Sequence, residues 1–462
     1  MYPDQVQNKL SLLRQTFGTG RTSVYSWRCS QLQSLLRFLG ENEGVLAEAV
    51  SGDFGKSHAE TFLTETAFVR GEIRHSLSRL RKWMKPERVS LPPHYQFGRA
   101  GVQYRPLGVV LVIGAWNYPL NTCLTPLVSA IAAGNCVVLK PSEQAPRTSR
   151  IIAERLSLYL DESAFAAFQG GVQETRSLLE ERFDCIFFTG SRTAGREVML
   201  SAARHMTPVI LELGGKSPCI VEKDANMGIA ARRIVWAKFL NAGQTCIAPD
   251  YLLVHRDARQ ELVMRLKEAI EKFYGRNPRE CRDYPRIVSH RHFDRLENLM
   301  RNGEPLAGGP ADRGVRYIPP TILGGVTIDD PIMKEEIFGP VLPVLTYETI
   351  DEALAIMRRN PDPLAVYLFT SSSSTARKVL EETRSGGFCR NDLLFQSAIH
   401  GLPFGGIGQS GFGRYHGRAG FEAFSYRRSI LHRSLFPDPG LRYPPYGKLK
   451  FGFLRKILQF FD

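Results

Sequence analysis

The chain has 462 residues, 43% hydrophobic and 23% charged, with 41 glycines and 28 prolines. This is a globular balance with ample length for a buried core, and it excludes a fibrous, collagenous or mainly disordered protein. The formal net charge of +14 and isoelectric point near 9.5 suit an anionic partner, whether nucleic acid, a membrane face or an anionic cofactor.

The distribution of charge narrows that choice. After residue 426, Arg427, Arg428, Arg433, Arg442, Lys448, Lys450, Arg455 and Lys456 are opposed only by Asp438 and Asp462. Nearly half of the positive excess therefore lies in the tail, and the mildly basic remainder argues against a nucleic-acid groove. None of the eight cysteines forms a CxxC pair, so reduced thiols are expected, with no metal site. Residues 1–20 lack the apolar core of a secretory signal. The longest apolar run, 107–116, is about half of what spans a bilayer. The expected location is cytoplasmic or on a membrane surface.

In chain order, residues 27–84 read as helical, with Leu32, Leu35, Leu36 and Leu39 at helix spacing and no proline. Pro86, Pro92 and Pro93 break this pattern, and 94–105 alternates loosely, as an edge hairpin that meets a neighbour would. Residues 109–113 form a short apolar run, which predicts a strand buried on both faces. Helices at 124–133, 151–160 and 174–181 then alternate with strands at 136–139, 164–168 and 185–188. This alternation predicts a parallel sheet wrapped by helices, with ligands beyond the strands' carboxyl ends. Lys140-Pro141-Ser142-Glu143 and Thr189-Gly190-Ser191 occupy two such ends. A second α/β succession runs from 209 to about 391, with strands at 209–213, 251–254, 341–345 and 365–369. The glycine-rich stretch 404–413 reads as a loop.

Two segments carry the chemistry. Gly243-Gln244-Thr245-Cys246 presents a cysteine between a helix and a strand, and Leu211-Glu212-Leu213-Gly214-Gly215 projects a carboxylate from a strand end into a glycine turn. Alone, a cysteine is usually core filler and such a glutamate a capping or surface residue. Together they resemble the cysteine and glutamate signatures of the NAD(P)-dependent aldehyde dehydrogenase superfamily. Trp116-Asn117-Tyr118-Pro119, Lys140-Pro141-Ser142-Glu143, Phe188-Thr189-Gly190-Ser191, Glu336-Ile337-Phe338-Gly339-Pro340 and Leu402-Pro403-Phe404-Gly405-Gly406 follow in family order. Ala248-Pro249-Asp250-Tyr251 and Arg414-Tyr415-His416-Gly417 resemble the class 3 branch, which handles fatty, medium-chain and aromatic aldehydes.

The resemblance implies an α/β fold of the aldehyde dehydrogenase type. A Rossmann-type parallel-sheet NAD(P)-binding domain would span 1–85 and 107–210, and a second α/β catalytic domain 211–410. A small β bridging or oligomerisation element would comprise 86–106 and 417–440, followed by a basic amphipathic tail, 441–462. It implies Cys246 as nucleophile, Glu212 as general base, and Asn117 with the Cys246 backbone N–H as oxyanion donors. Lys140 and Glu143 would face the adenosine ribose, the turn from Gly190 through Ser191 to Gly195 the pyrophosphate, Glu336 the nicotinamide ribose and Phe338 its ring. The cofactor is expected to be NAD, with NADP also accepted, and the protein a homodimer. A CoA-acylating enzyme and a catalytically silent binding protein are the alternatives; the first tends to lack the glutamate, and intact Cys246, Glu212 and Asn117 argue against the second.

Relatives of this branch often end in a membrane span or a prenylated cysteine, and this sequence shows neither. Phe451, Leu454, Ile457, Leu458 and Phe461 instead fall at helical spacing, with Lys448, Arg455, Lys456 and Gln459 on other faces. Such a helix lies on an anionic bilayer or docks on protein near the substrate entrance; the sequence leaves both open.

Overall fold

The computed structural model of the chain describes residues 2–92, 98–301 and 303–461. Its first sheet runs in the order Gly411–Phe412, Val209–Leu213, Cys185–Gly190, Val109–Ile113, Cys136–Lys140, Phe165–Ala167. All neighbours are parallel except Gly411–Phe412, which is antiparallel to Val209–Leu213. The five apolar residues of Val109–Ile113 serve two cores because successive side chains leave a strand on opposite faces. Val110 and Val112 join one apolar cluster with Leu32, Phe38 and Ile73 of the amino-terminal helices and Leu124 and Leu127 of Asn121–Ala133. Val109, Leu111 and Ile113 join the other, which is closed by Val6, Leu10 and Leu13 of the helix Tyr2–Gly18. The sequence reading, which began its helices at residue 27, passed over that first helix.

The second sheet runs Glu304–Ala307, Thr321–Gly324, Val341–Tyr347, Tyr251–His255, Pro218–Val221, Ala365–Phe369, Gly387–Arg390, parallel apart from its first pair. A third sheet has three antiparallel strands, Glu87–Val89, Gly98–Pro106 and Ser425–Arg433.

Three expectations need correction. Strand 209–213 was placed in the second succession but is hydrogen-bonded into the first sheet, so the Glu212 strand belongs with 185–190. The stretch 404–413 is not all loop: Gly411 pairs with Glu212 and Phe412 with Leu211. Glycine is required at 411, where φ is +115° and a Cβ would collide with the Leu211 carbonyl oxygen. Of the hairpin expected at 94–105, residues 94–97 lie outside the described residues. Its remainder is the middle strand of the third sheet, and Ser425–Arg433 forms one edge.

Candidate active site

The loop after Val109–Ile113 brings Asn117 into the interior, 4% exposed. Its side-chain amide donates to the Gln244 carbonyl at 3.0 Å, and its own carbonyl accepts from Asn241 Nδ2 at 2.7 Å and Lys56 Nζ at 3.3 Å. Lys56 is fully buried, ion-paired to Glu65 at 2.7 Å and 4.0 Å from the centre of the Tyr118 ring. The second oxygen of Glu65 accepts the Leu120 and Asn121 N–H groups, at 2.8 and 3.3 Å. A buried charge survives only when paired and hydrogen-bonded, and here the pairing also fixes the Asn117 loop.

Cys246 arrives on a second constrained loop. After the helix Met227–Phe239 the backbone turns left-handed at three successive residues, Asn241, Ala242 and Gly243, with φ of 52°, 51° and 72°. Such a run persists only where its surroundings impose it. Here the Asn241 N–H donates to Glu60 at 2.8 Å, and the Gln244 side chain donates to the Asn241 and Arg286 carbonyls and accepts from Val288 N–H. Tyr118 and Thr245 share a 2.6 Å hydroxyl contact that joins the two loops. Burial first, and then the charges of Glu336 and Glu212, push the Cys246 thiol up to about 12, with the N–H groups of Cys246 and Ile247 partly opposing the shift. At neutral pH it is an un-ionised thiol that needs a base.

Glu212 is 4% exposed and neither of its oxygens has a hydrogen-bond partner. Burial holds its carboxyl well above the ordinary range, and Arg414 opposes that shift. Glu336 approaches from the loop before Val341–Tyr347. Its carboxyl accepts from Gly215 N–H and is raised to about 8, chiefly by burial. It packs so closely on Gly214 that a Cβ there would collide with it. Arg295 donates to the Glu336 and Ile337 carbonyls at 3.1 and 2.6 Å, and Asp250 accepts Ile337 N–H at 3.0 Å, which fixes this loop. Phe338, at φ +50°, meets Trp116 edge-on with ring centres 5.4 Å apart. A thiol, an unpartnered carboxyl, an amide donor and a second carboxyl thus converge where the carboxyl ends of the first sheet meet loops that enter the amino ends of second-sheet strands.

The family model described as "Aldehyde dehydrogenase family" matches residues 3–430. The chain belongs to the aldehyde dehydrogenase family. Rat "Aldehyde dehydrogenase family 3 member B1" is 47% identical over 449 residues, covering 96% of this chain and 95% of its own. Dog "Aldehyde dehydrogenase, dimeric NADP-preferring" is 43% identical over 434 residues, covering 94% and 96%. Among solved structures, the substrate-bound Staphylococcus aureus AldH superposes with a TM-score of 0.95 at 39% identity, over 98% of this chain and 99% of that one. The Mycobacterium tuberculosis aldehyde dehydrogenase complexed with NAD+ superposes at 0.85 with 27% identity, over 94% and 92%. The class 3 resemblance, the α/β fold and an NAD(P)-dependent oxidoreductase activity therefore hold.

The residues of this aldehyde dehydrogenase fit a dinucleotide. Lys140 ends its strand 1% exposed, with Nζ on the Pro141 carbonyl at 2.8 Å and 3.6 Å from Glu143. Gly190 ends the strand two places inward, beyond Val109–Ile113, and Ser191 caps the helix Arg192–Ala203 by accepting Ala194 N–H at 3.3 Å. Helix starts of this kind receive phosphates. Gly195 lies not in the turn but inside that helix, against Leu213, where its lack of a side chain lets helix and sheet approach closely. Sequence reading missed Lys56, Glu65 and Asn241, and gave no role to Gln244 and Arg414, although both stand in the motifs quoted above. Only Asn241-Ala242-Gly243 carries a local signal, since Asn and Gly favour left-handed backbone.

Proposed function

We propose that this aldehyde dehydrogenase oxidises medium- or long-chain aliphatic or aromatic aldehydes to carboxylic acids through Cys246, with Glu212 as base. The observation that carries this reading is the buried Glu212 carboxyl with no partner of its own, acting electrostatically on the Cys246 thiol. Glu212 takes the thiol proton and passes it on to solvent, and Sγ attacks the aldehyde carbon. The oxyanion of the resulting thiohemiacetal accepts from Asn117 Nδ2, released from the Gln244 carbonyl, and from a backbone N–H at Cys246. NAD or NADP, when bound, would supply the hydride acceptor, and loss of the hydride would leave a thioester on Cys246. Glu212 then removes a proton from the water that hydrolyses it. The class 3 motifs supply the substrate range.

Lys140 and Glu143 would hold the adenosine ribose, Gly190 and Ser191 the pyrophosphate and Glu336 the nicotinamide ribose, and Phe338 would pack by the ring. The Glu143 carboxylate beside Lys140 disfavours a 2′-phosphate, hence a preference for NAD; equal kcat/KM for NAD and NADP would remove that preference. The first sheet with its helices is the cofactor domain and the second the catalytic one. The edge Ser425–Arg433 pairs in a homodimer.

The test is NADH production from a series of aldehydes of increasing length, with and without CoA. Turnover without CoA that is lost in Cys246→Ala, with unchanged melting, is the expected result. Retained turnover in that variant sinks the mechanism, and dependence on CoA would make the enzyme acylating.

We further infer that the tail makes peripheral contact with anionic membrane. Among the described residues no helix is long and apolar enough to cross a bilayer. In the helix Lys448–Phe461 no described side chain is buried, and Leu449, Phe453 and Phe460 widen the apolar face expected from sequence. Deleting 447–462 should abolish sedimentation with phosphatidylserine vesicles; unchanged sedimentation would exclude the contact.

A further inference from the structure

Glu212 has an electrostatic problem that its own strand does not solve. A carboxyl with both oxygens buried and no donor to either favours the neutral acid, and a neutral acid cannot take a proton from water. The neighbouring strand positions offer no charge, since Thr189 and Gly411 flank Glu212 in register. The other titratable groups facing it are Cys246 and Tyr415, both held un-ionised at neutral pH by burial.

Arg414 is different. It follows the strand Gly411–Phe412, whose pairing with Leu211 and Glu212 sets where it emerges. A Cβ placed on Gly405 would lie 3.0 Å from Glu212 Oε1 and 3.0 Å from Arg414 Cδ, so the carboxyl and the arginine stem flank the same glycine. Nη1 of Arg414 is itself buried without a hydrogen-bond partner. A carboxyl without hydrogen-bond partners and an arginine side chain with an unpartnered Nη1 thus adjoin the same glycine, which has no side chain to separate them.

We infer that Arg414 is a positioning residue for Glu212: its guanidinium favours the carboxylate against the burial that opposes ionisation and so lowers the acid limb of turnover. This rests on the reading of Glu212 as the hydrolytic base. The direction of Arg414's effect on Glu212, toward the ionised form, agrees.

The experiment is the pH dependence of kcat with NAD and a saturating aldehyde for the unaltered enzyme, Arg414→Met, Arg414→Lys and Glu212→Gln, with melting curves and the pre-steady-state NADH burst. Arg414→Met should move the acid limb upward by about one unit or more, which is about a tenfold loss of kcat below it. The burst, formed before hydrolysis, should persist. Arg414→Lys should restore the limb toward its original position, which a purely structural role would not require. A folded Arg414→Met enzyme with an unmoved limb overturns the inference. If that variant melts below the assay temperature, Arg414→Gln is held to the same criterion. Full steady-state turnover in Glu212→Gln would remove the base itself and this inference with it. An inactive Glu212→Gln beside an Arg414→Met enzyme of normal profile would overturn the role of Arg414 alone.

Discussion

Burial, more than any single neighbour, determines which protons the site holds. Cys246 at about 12 and Glu336 at about 8 owe their shifts first to desolvation. For Glu336 the sign is simple: at pH 7 most of the carboxyl is protonated, and at pH 9 it is a carboxylate, the stronger acceptor for ribose hydroxyls. Cofactor affinity, measured by quenching of intrinsic fluorescence, should therefore tighten severalfold from pH 7 to 9. Lys140 works in the opposite direction, because burial lowers its pKa and loss of its proton weakens its hold on an anionic ligand. Glu336→Gln should remove the tightening and leave only that opposing trend. A flat profile in the unaltered enzyme would count against a role for the Glu336 carboxylate.

The two loops that present Asn117 and Cys246 owe their shape to buried polar side chains, not to the hydrogen-bond ladders of a helix or sheet. Lys56 and Glu65 form a buried pair, and removing one partner of such a pair typically costs about 3–5 kcal/mol. Lys56→Met should destabilise by that amount in urea unfolding and lower kcat through a loosened Asn117 loop. Replacing both partners by apolar residues often recovers stability, but here Glu65 also accepts the Leu120 and Asn121 N–H groups. Each donor left unpaired costs about 1–3 kcal/mol. The double variant Lys56→Met/Glu65→Leu should therefore remain at least as unstable as the single one, and recovery to the parent stability would show that the pair is dispensable.

Across the whole molecule the thiols impose a pH limit. All eight cysteines are free; burial pushes Cys123, Cys136 and Cys185 up to about 12, and Cys219 also far upward. An unfolded thiol ionises near 8.5. Between that pH and 12 the folded chain keeps protons that the unfolded chain releases, so stability must fall as pH rises through this window. Buried Tyr251, also raised by desolvation, acts in the same direction. The urea midpoint should be lower at pH 10.5 than at pH 8, and an equal or higher midpoint at pH 10.5 would contradict the burial of these groups.

Cys246, Glu212 and Asn117 could be proposed from sequence because each sits in a short contiguous motif, and Val109–Ile113 was legible because five successive apolar residues suit a strand covered on both faces. Local pattern could not reveal pairings between distant parts of the chain. Strand 209–213 was assigned to the wrong succession because its partners 185–190 and 411–412 are fixed by hydrogen bonds, not by order. The helix Tyr2–Gly18 escaped notice although its Val6, Leu10 and Leu13 close one face of the first sheet. Lys56 and Glu65 look like ordinary surface charges until the Asn117 loop folds over them, and Arg414 comes near Glu212 only because two segments about 200 residues apart pair as antiparallel strands. The sequence by itself determined which groups are proposed for the chemistry, since reactivity belongs to residue types in fixed local order. Tertiary structure alone decided how those groups are charged and held, because desolvation and long-range pairing exist only once the chain is packed.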